Sequence, residues 1–469
     1  MYKKNKVPRI NIFNPVLWMK SYFITRKCKL KLEKVNVNKL KPPYVILSTH
    51  GSIMDYFIVQ RVTFPHSIYN VCDDSDIEKY KWTISHIGGM YNSIYGEDNA
   101  KINDIKKAIK RNKIVVLYPE VKMSIDGATG ILSEELANML KELNVPVVIL
   151  KNQGSYLHKP IWNNTITWNN IQSQFIQICN KDEINTISEE DLYRKIEESF
   201  KYDDYAWQRN QRISLSNKNR CNGLEKILYK CPQCLEENKI VSKGDKIYCS
   251  SCGKQWFMTD YGDMRATLDD NEYTRIHDWF EYERDCVREE IITGTYSLVS
   301  KVKVEEMSSQ NKVLLSEAGI LWHNSEGFIL KYNGRGKEEN LIKPSNEMYS
   351  CHIGFDYKGK GPYIELCIDD QKYYIYPQDK SSVTKVMLAV EEIYKLDVKS
   401  GIVEEKSKKG NVEAVTVEVE QLIENVDIIE EENKGKVIAG EYIDDKTVTS
   451  EQAQAIREQA QTIETNEVS

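Results

Sequence analysis

The sequence predicts an α/β protein: a central sheet flanked by helices, followed by a small cysteine-bound segment and a mostly β domain. Three observations carry this. Over residues 42–154, the short apolar runs Val45-Ile46-Leu47, Ile114–Tyr118 and Pro146–Leu150 alternate with segments of helical period. Two Cys-x-x-Cys pairs, Cys231/Cys234 and Cys249/Cys252, stand 14 residues apart. Residues 291–380 then break into seven short β-like runs between turn signals, closed by one amphipathic helix.

A chain of 469 residues suggests about three domains at ~150 residues each. Hydrophobic residues make up 41% and charged residues 29%, the balance of a globular protein. The net charge of -6 hides an asymmetry: residues 401–469 hold 17 acidic and 7 basic residues, which leaves +4 over residues 1–400. No apolar run approaches the roughly 18 residues a spanning helix needs. The start, MYKKNKVPRINIF, is basic but lacks an apolar core followed by small residues, so a secretory signal is not expected. Eleven cysteines without such a signal favour a reducing compartment, and a metal over disulfides. The expected location is cytoplasmic.

Residues 1–41 hold twelve Lys and Arg and one acid, Glu33. Trp18, Met19 and Phe23 stand among Lys20, Arg26, Lys27, Lys29 and Lys31, a mixture that suits the surface of an anionic membrane. A first helix packed on the domain, with a solvated basic face, accounts for the same residues.

Val45–Leu47 reads as a buried strand ending at Ser48-Thr49-His50. Gly51-Ser52 makes a turn, and Tyr56–Val59 continues into a helix. His50 and Asp55 thus meet at a strand-to-helix corner. Such a pair makes a general base, with the carboxylate fixing the imidazole's tautomer and steadying its positive charge. A strand-end histidine beside an ordinary helix-start acid is the plainer alternative. Further strands are expected at Ser67–Val71 and, after a turn within Lys81–Gly89, at Met90–Tyr95. A helix at Ile102–Arg111 places Ile102, Ile105 and Ile109 on one face. Ile114–Tyr118 is a buried strand stopped by Pro119-Glu120. A helix at Ser133–Leu143 has Ser133 as N-cap and turns Leu136, Met139, Leu140 and Leu143 inward. Pro146–Leu150 is the next strand, closing near Gly154. Ligands of such sheets lie beyond the carboxyl ends of the strands, where His50, Glu120 and Asn152-Gln153-Gly154 all fall, so these residues are expected to converge on one pocket.

His50-x4-Asp55, then Leu117-Tyr118-Pro119-Glu120, then Val145-Pro146-Val147-Val148 resembles the glycerolipid acyltransferases of the lysophosphatidic acid acyltransferase (1-acylglycerol-3-phosphate acyltransferase) type, in both order and spacing. The resemblance covers about residues 40–215. It implies phospholipid biosynthesis by O-acyl transfer: His50 deprotonates a hydroxyl of a lysophospholipid or glycerol-phosphate-like acceptor, which attacks the thioester of acyl-CoA or acyl-carrier protein. Asp55 orients His50. The resemblance assigns Ser52, Pro119, Glu120, Lys122 and Ser124 to substrate binding. The family's Pro-Glu-Gly-Thr-Arg-Ser stands here as Pro119-Glu120-Val121-Lys122-Met123-Ser124, and the family's second arginine has no counterpart in Gly88–Tyr95. Arginine holds phosphate with a planar fork and lysine as a point charge, so Lys122 is the expected stand-in, and either a different acceptor or weakened activity is expected.

Residues 155–215 place Trp162, Trp168 and Trp207 among polar residues, and Ser188–Phe200 reads as a helix with Ser188 as N-cap. The four cysteines fill all four positions of a tetrahedral site, so a closed, structural zinc ribbon is expected. The loop between the pairs lacks a dense basic patch, so a scaffold or protein-docking role is expected and nucleic acid is not. Cys221 and Cys286 read as ordinary thiols. Asp270–Glu290 is a charged connector helix with Ile276, Trp279, Phe280, Cys286 and Val287 inward. The β-like runs are Gly294–Val304, Lys312–Ser316, Gly319–His323, Gly327–Tyr332, Met348–Phe355, Tyr363–Ile368 and Lys372–Tyr376. The closing helix is Ser381–Leu396, with Val386, Leu388, Ala389, Val390 and Ile393 apolar. Seven strands and one helix resemble a pleckstrin-homology-like domain at the level of fold. Residues 399–469 are nearly free of aromatics and acidic, an expected flexible tail, with a helix at Glu451–Ile463.

The expected organisation is therefore an acyltransferase domain with its basic membrane-facing segment at 1–215, a zinc ribbon at 221–260, a connector helix at 261–290, a β-rich domain at 291–398 and the tail at 399–469. The expected activity is acyl transfer on the cytoplasmic face of a membrane. A non-catalytic membrane or lipid-binding adaptor with the same fold is the rival.

Overall fold

The computed structural model describes residues 14–72, 89–91, 99–120, 122–133, 135–267, 273–307, 312–334, 337–356, 359–368, 371–379 and 382–399. The turn expected within 81–89, most of Gly88–Tyr95, Val121, and the tail with its helix at 451–463 lie outside these residues. Among the described residues the chain opens with helix α1 (Asn14–Lys27) and strand β1 (Lys31–Val35). Next come β2 (Val45–Ser48), α2 (Ile53–Thr63), β3 (Ile68–Cys72), β4 (Gly89–Tyr91), α3 (Asn99–Lys110), β5 (Ile114–Leu117), α4 (Glu135–Leu143), β6 (Val147–Gln153) and β7 (Gln172–Cys179). The seven strands form one sheet in the order β1-β7-β6-β2-β5-β3-β4, parallel except where β6 meets β7.

Alternation along the strands divides the core into two layers. Val45, Leu47, Val115, Leu117, Val147 and Ile149 face α3, α4 and α6 (Glu189–Phe200), meeting Ile105, Leu140, Ile196 and Phe200. Ile46, Val116, Val148, Leu150 and Phe175 face the other way, onto Met54, Ile58 and Val59 of α2. The central strands are buried on both faces, which is why they read as unbroken apolar runs rather than as alternation. α5 (Lys181–Thr186) and α7 (Asp204–Asn210) complete this part.

The cysteine segment is a four-stranded antiparallel sheet, β8 (Ile240–Lys243), β9 (Lys246–Cys249), β10 (Gln255–Met258) and β11 (Met264–Ala266). Helix α8 (Ile276–Ile292) follows, with Ile276, Trp279, Phe280 and Val287 buried as expected and Cys286 half-buried. Its Trp279 ring packs 4.7 Å from Trp256 of β10.

The β-rich part holds β12 (Leu298–Met307), β13 (Lys312–Asn324), β14 (Gly327–Gly334), β15 (Lys337–Pro344), β16 (His352–Gly354), β17 (Tyr363–Ile368) and β18 (Gln371–Pro377). The order is β15-β14-β13-β12-β18-β17-β16, antiparallel throughout, and α9 (Ser382–Lys399) closes it. Two expected strands are one: 312–316 and 319–323 merge into β13. Gly319 looks like a turn signal, yet a Cβ there would lie 2.9 Å from the Cβ of Tyr332, so close strand approach explains the glycine. The polar strand β15 was not expected. It is a sheet edge, mostly exposed, and so carries no apolar pattern. Cysteine segment, α8, the inner face of the β-rich sheet and α9 share one continuous core with Ile125, Tyr156 and Trp162 from the first part, and the described residues belong to one compact unit.

Candidate active site

The stretch around His50 is built by a turn that few side chains fit. A Cβ on Gly51 would lie 2.8 Å from the backbone nitrogen of Tyr156, so only glycine lets the chain pass. Ser52 then caps α2: its Oγ accepts from the Met54 N–H at 3.2 Å and donates to the Ser155 carbonyl at 2.8 Å. Asp55 completes the capping box from inside the first turn.

Asp55 is fully buried and its carboxylate accepts four hydrogen bonds. Three come from Gly51 N–H, Ser52 N–H and Asn152 Nδ2, each at 2.8 Å, and a longer one from Thr49 Oγ1 at 3.4 Å. Burial pushes its carboxyl up from the ordinary 3.8 to about 6, against the pull of these donors. The four bonds lock the turn on which the imidazole rides; none of them is to the His50 ring, whose orientation was the task expected of Asp55 from the sequence. Asn152, from the end of β6, thereby joins the site as its position at a strand's carboxyl end implied.

His50 is itself buried, its ring 4.5 Å from that of Tyr118. Both its backbone groups are held by the loop after β5. The N–H donates to Glu120 Oε2 at 3.3 Å, and the carbonyl accepts the Ser124 N–H at 2.8 Å. Glu120 also accepts from Gly130 N–H at 2.8 Å and from the Tyr202 hydroxyl at 2.9 and 3.1 Å. Burial raises its carboxyl from 4.5 to about 7, the neighbouring Asp55 charge adding to the effect. Pro119 precedes it at the strand end, and Ser124 Oγ holds the loop by donating to the Ala128 carbonyl and accepting from Gly127 N–H.

Lys122 lies elsewhere in chemical terms. Its ammonium pairs with Glu391 of α9 and donates to Ser350 Oγ at 2.9 Å, inside a buried cluster. Arg284 of α8 donates to Glu391 at 2.8 Å and to Glu392 at 3.2 Å, and Arg288 donates to Glu392 at 2.6 Å. Burial opposes ionisation of Glu391, yet Lys122 and Arg284 hold its carboxyl down at about 2. Asp126, in the same loop, meets His277 Nδ1 of α8 at 2.6 Å. A small cleft of about 30 Å³ is lined by Glu120, Ser124, Asp126, Gly130, His277 and Arg284 among others, and His50 and Asn152 are not among the residues that line it. Tyr202, His277 and Glu391 carried no motif in the sequence, since each reaches the site from a distant element.

No protein-family model matches the chain, and no curated protein matches it. Among solved structures it is similar to the crystal structure of the 1-acyl-sn-glycerophosphate (LPA) acyltransferase PlsC from Thermotoga maritima. The identity is 16%, over 40% of this chain and 76% of that one, with a TM-score of 0.31.

A second centre lies in the cysteine segment. The sulfurs of Cys231, Cys234, Cys249 and Cys252 lie within 4.8 Å of one another, with Cys231–Cys252 at 3.8 Å and Cys234–Cys249 at 3.7 Å. Four thiolates around a tetrahedral ion at ~2.3 Å stand about 3.8 Å apart, so the set fits such a metal. Each pair is turned alike: Leu235 N–H donates to the Cys231 carbonyl and Gly253 N–H to that of Cys249, both at 2.9 Å and both from residues of positive φ.

Proposed function

We propose that the chain is a glycerolipid O-acyltransferase of the 1-acylglycerol-3-phosphate acyltransferase kind, with His50 as general base. The observation that carries this reading is the seating of His50. It sits at the carboxyl end of a central parallel strand, with its peptide clamped on both sides and its turn fixed by a buried carboxylate. An alcohol is a poor nucleophile until its proton is removed as it attacks. His50 takes the acceptor's hydroxyl proton while the oxygen adds to the thioester carbonyl of acyl-CoA or acyl-carrier protein. The tetrahedral adduct collapses, the ester C–O bond replaces the C–S bond, and the thiolate leaves with the proton from the imidazolium. Asp55 steadies that imidazolium and holds the turn. Ser52, Pro119, Glu120 and Ser124 shape the acceptor side.

The engagement of Lys122 with Glu391 supports a second reading, a lipid-binding adaptor without transfer activity, because the expected phosphate contact is already taken. The acceptor panel separates the two. Purified protein is given membranes, a set of lysolipids and acyl donors, and the products are read by lipid mass spectrometry. His50→Ala is expected to cut turnover about 10²–10⁴-fold while folding and metal content stay intact. A wild type inert across the whole panel leaves the adaptor reading standing.

Membrane contact belongs to the same proposal. No helix among the described residues is long and apolar enough to cross a membrane. Yet α1 turns Asn14, Ser21 and Thr25 inward and leaves Val16, Met19 and Phe23 58%, 51% and 59% exposed beside Lys20, Arg26 and Lys27. Apolar groups that enter the interface, ringed by cations, favour peripheral docking on an anionic, cytoplasmic leaflet. The ribbon's four thiolates would hold a structural zinc. A bound zinc supplies no chemistry there beyond cross-linking the two knuckles, since no coordination position stays open.

A further inference from the structure

The loop of residues 118–130 grips His50 and is itself gripped from outside. Its hold on His50 is backbone-directed. Glu120 takes the N–H, Ser124 N–H takes the carbonyl, and between them Lys122 N–H closes onto the Glu120 carbonyl at 2.7 Å. Besides Glu120 the loop carries two charged side chains, Lys122 and Asp126, and both are held by residues beyond the sheet that carries His50. Lys122 reaches Glu391 on α9 and Ser350 before β16, while Asp126 reaches His277 on α8. The two anchors are unlike surface ion pairs. Lys122, Asp126 and Glu391 are buried, and His277 is raised to about 9 because the Asp126 bond and charge outweigh the cost of burial. A buried charge released from its partner is costly, so each anchor holds its end of the loop in one place.

We propose that Glu391 and His277 are positioning residues for His50: by holding Lys122 and Asp126 they fix the loop whose Glu120 and Ser124 clamp both backbone groups of the histidine. This rests on the reading of His50 as the base. In consequence, the site beside the parallel sheet is completed by helices of the connector and β-rich parts. Lys122 also acquires a role other than phosphate binding. Displacement of a catalytic group by about 1 Å costs on the order of 100-fold in rate, so a loosened loop is visible in turnover.

The test uses the full chain and three readouts. Glu391→Gln, Lys122→Met, the double variant and His277→Gln are compared by hydrogen exchange of the 118–130 peptide, by NMR titration of the His50 imidazole, and by acyl transfer on the acceptor the lysolipid panel identifies. In Glu391→Gln, amide exchange at 118–130 is expected to rise on the order of tenfold. The His50 titration is expected to move, and kcat to fall on the order of tenfold with KM within about twofold. The double variant is expected to be no worse than Glu391→Gln alone, because one residue acts through the other. Unchanged exchange and an unmoved His50 titration in a folded variant overturn the proposal, as does additivity of the two single effects. If Glu391→Gln fails to fold, His277→Gln decides, since His277 is partly exposed and its loss spares the Lys122 cluster. If the wild type transfers no acyl group, the enzymatic reading falls, while exchange and the imidazole titration still judge the positioning.

Discussion

The carboxylate of Glu120 accepts the backbone N–H of His50 at 3.3 Å, so an acid expected to bind substrate holds the candidate base through its backbone. Its remaining lone pairs are taken by Gly130 and Tyr202. This makes Glu120 a structural acid whose protonation is visible in stability.

Its carboxyl lies at about 7 when folded against an ordinary 4.5. The native state therefore binds more protons than the unfolded chain between those values. The associated stability is fully present below 4.5 and is lost as pH rises through 7, on the order of 3 kcal/mol. Asp55, raised to about 6, acts in the same direction. Glu120→Gln pays a pH-independent cost for a mismatched donor, about 1–3 kcal/mol. Its unfolding midpoint is expected to fall less between pH 5 and 8 than that of wild type. Parallel pH profiles from urea melts would show that Glu120 is ionised in the native protein throughout.

Asp55 is expected to be the most damaging single substitution in the turn. Asp55→Ala removes a capping box and leaves the Gly51 and Ser52 N–H groups and the Asn152 amide without their acceptor, a loss of about 2–4 kcal/mol. Asp55→Asn retains one acceptor oxygen and should lose less. Thermal melts rank the two, and equal midpoints for Ala and wild type would mean that the turn is held by something else.

How far the sequence carried these arguments depended on where the signal lay. β2, β5 and β6 were legible because burial on both faces leaves contiguous apolar runs, and their carboxyl ends placed His50, Glu120 and Asn152 together. β7 was not legible because its buried Ser173 and Phe175 alternate with Gln172 and Gln174, and β1, KLEKV, is an edge with little buried surface. α9 was legible from Val386, Leu388, Ala389, Val390 and Ile393, all buried. Its Glu391 was not, since a glutamate in a helix looks solvated until its partners Lys122 and Arg284, 269 and 107 residues away, are brought beside it.

The four-cysteine centre predicts one metal ion per chain. Cys252 is the exposed member, so Cys252→Ser opens the site with the least disturbance of the core. Metal content by elemental mass spectrometry is expected to drop from one equivalent towards none. Because Trp256 of the ribbon packs on Trp279 of α8, tryptophan emission should shift as the ribbon loosens. Full metal content in Cys252→Ser would exclude a four-cysteine centre.

Helix α1 supplies the sharpest test of membrane contact, because it packs Trp18 on Phe64 and Ile24 on the core yet leaves other apolar side chains outward. The face packed on α2 carries Ser21 and Thr25, and the outward face carries Met19 and Phe23. Val16, Met19 and Phe23 together form an exposed apolar strip, to which an apolar environment outside the protein is the complement. Full burial of a Phe or Met side chain stabilises by about 1.5–3 kcal/mol, and each is roughly half exposed here. Met19→Glu or Phe23→Glu is therefore expected to weaken vesicle binding about tenfold on neutral lipid, and further on anionic lipid, which repels the added charge. Lys20→Glu should weaken it on anionic vesicles alone, by about 2 kcal/mol at low salt, since the charge changes by two. Sedimentation with phosphatidylcholine vesicles, with and without phosphatidylserine, separates the two contributions. If Phe23→Glu sediments as wild type does, the outward face of α1 is not the docking surface, whatever the lipid.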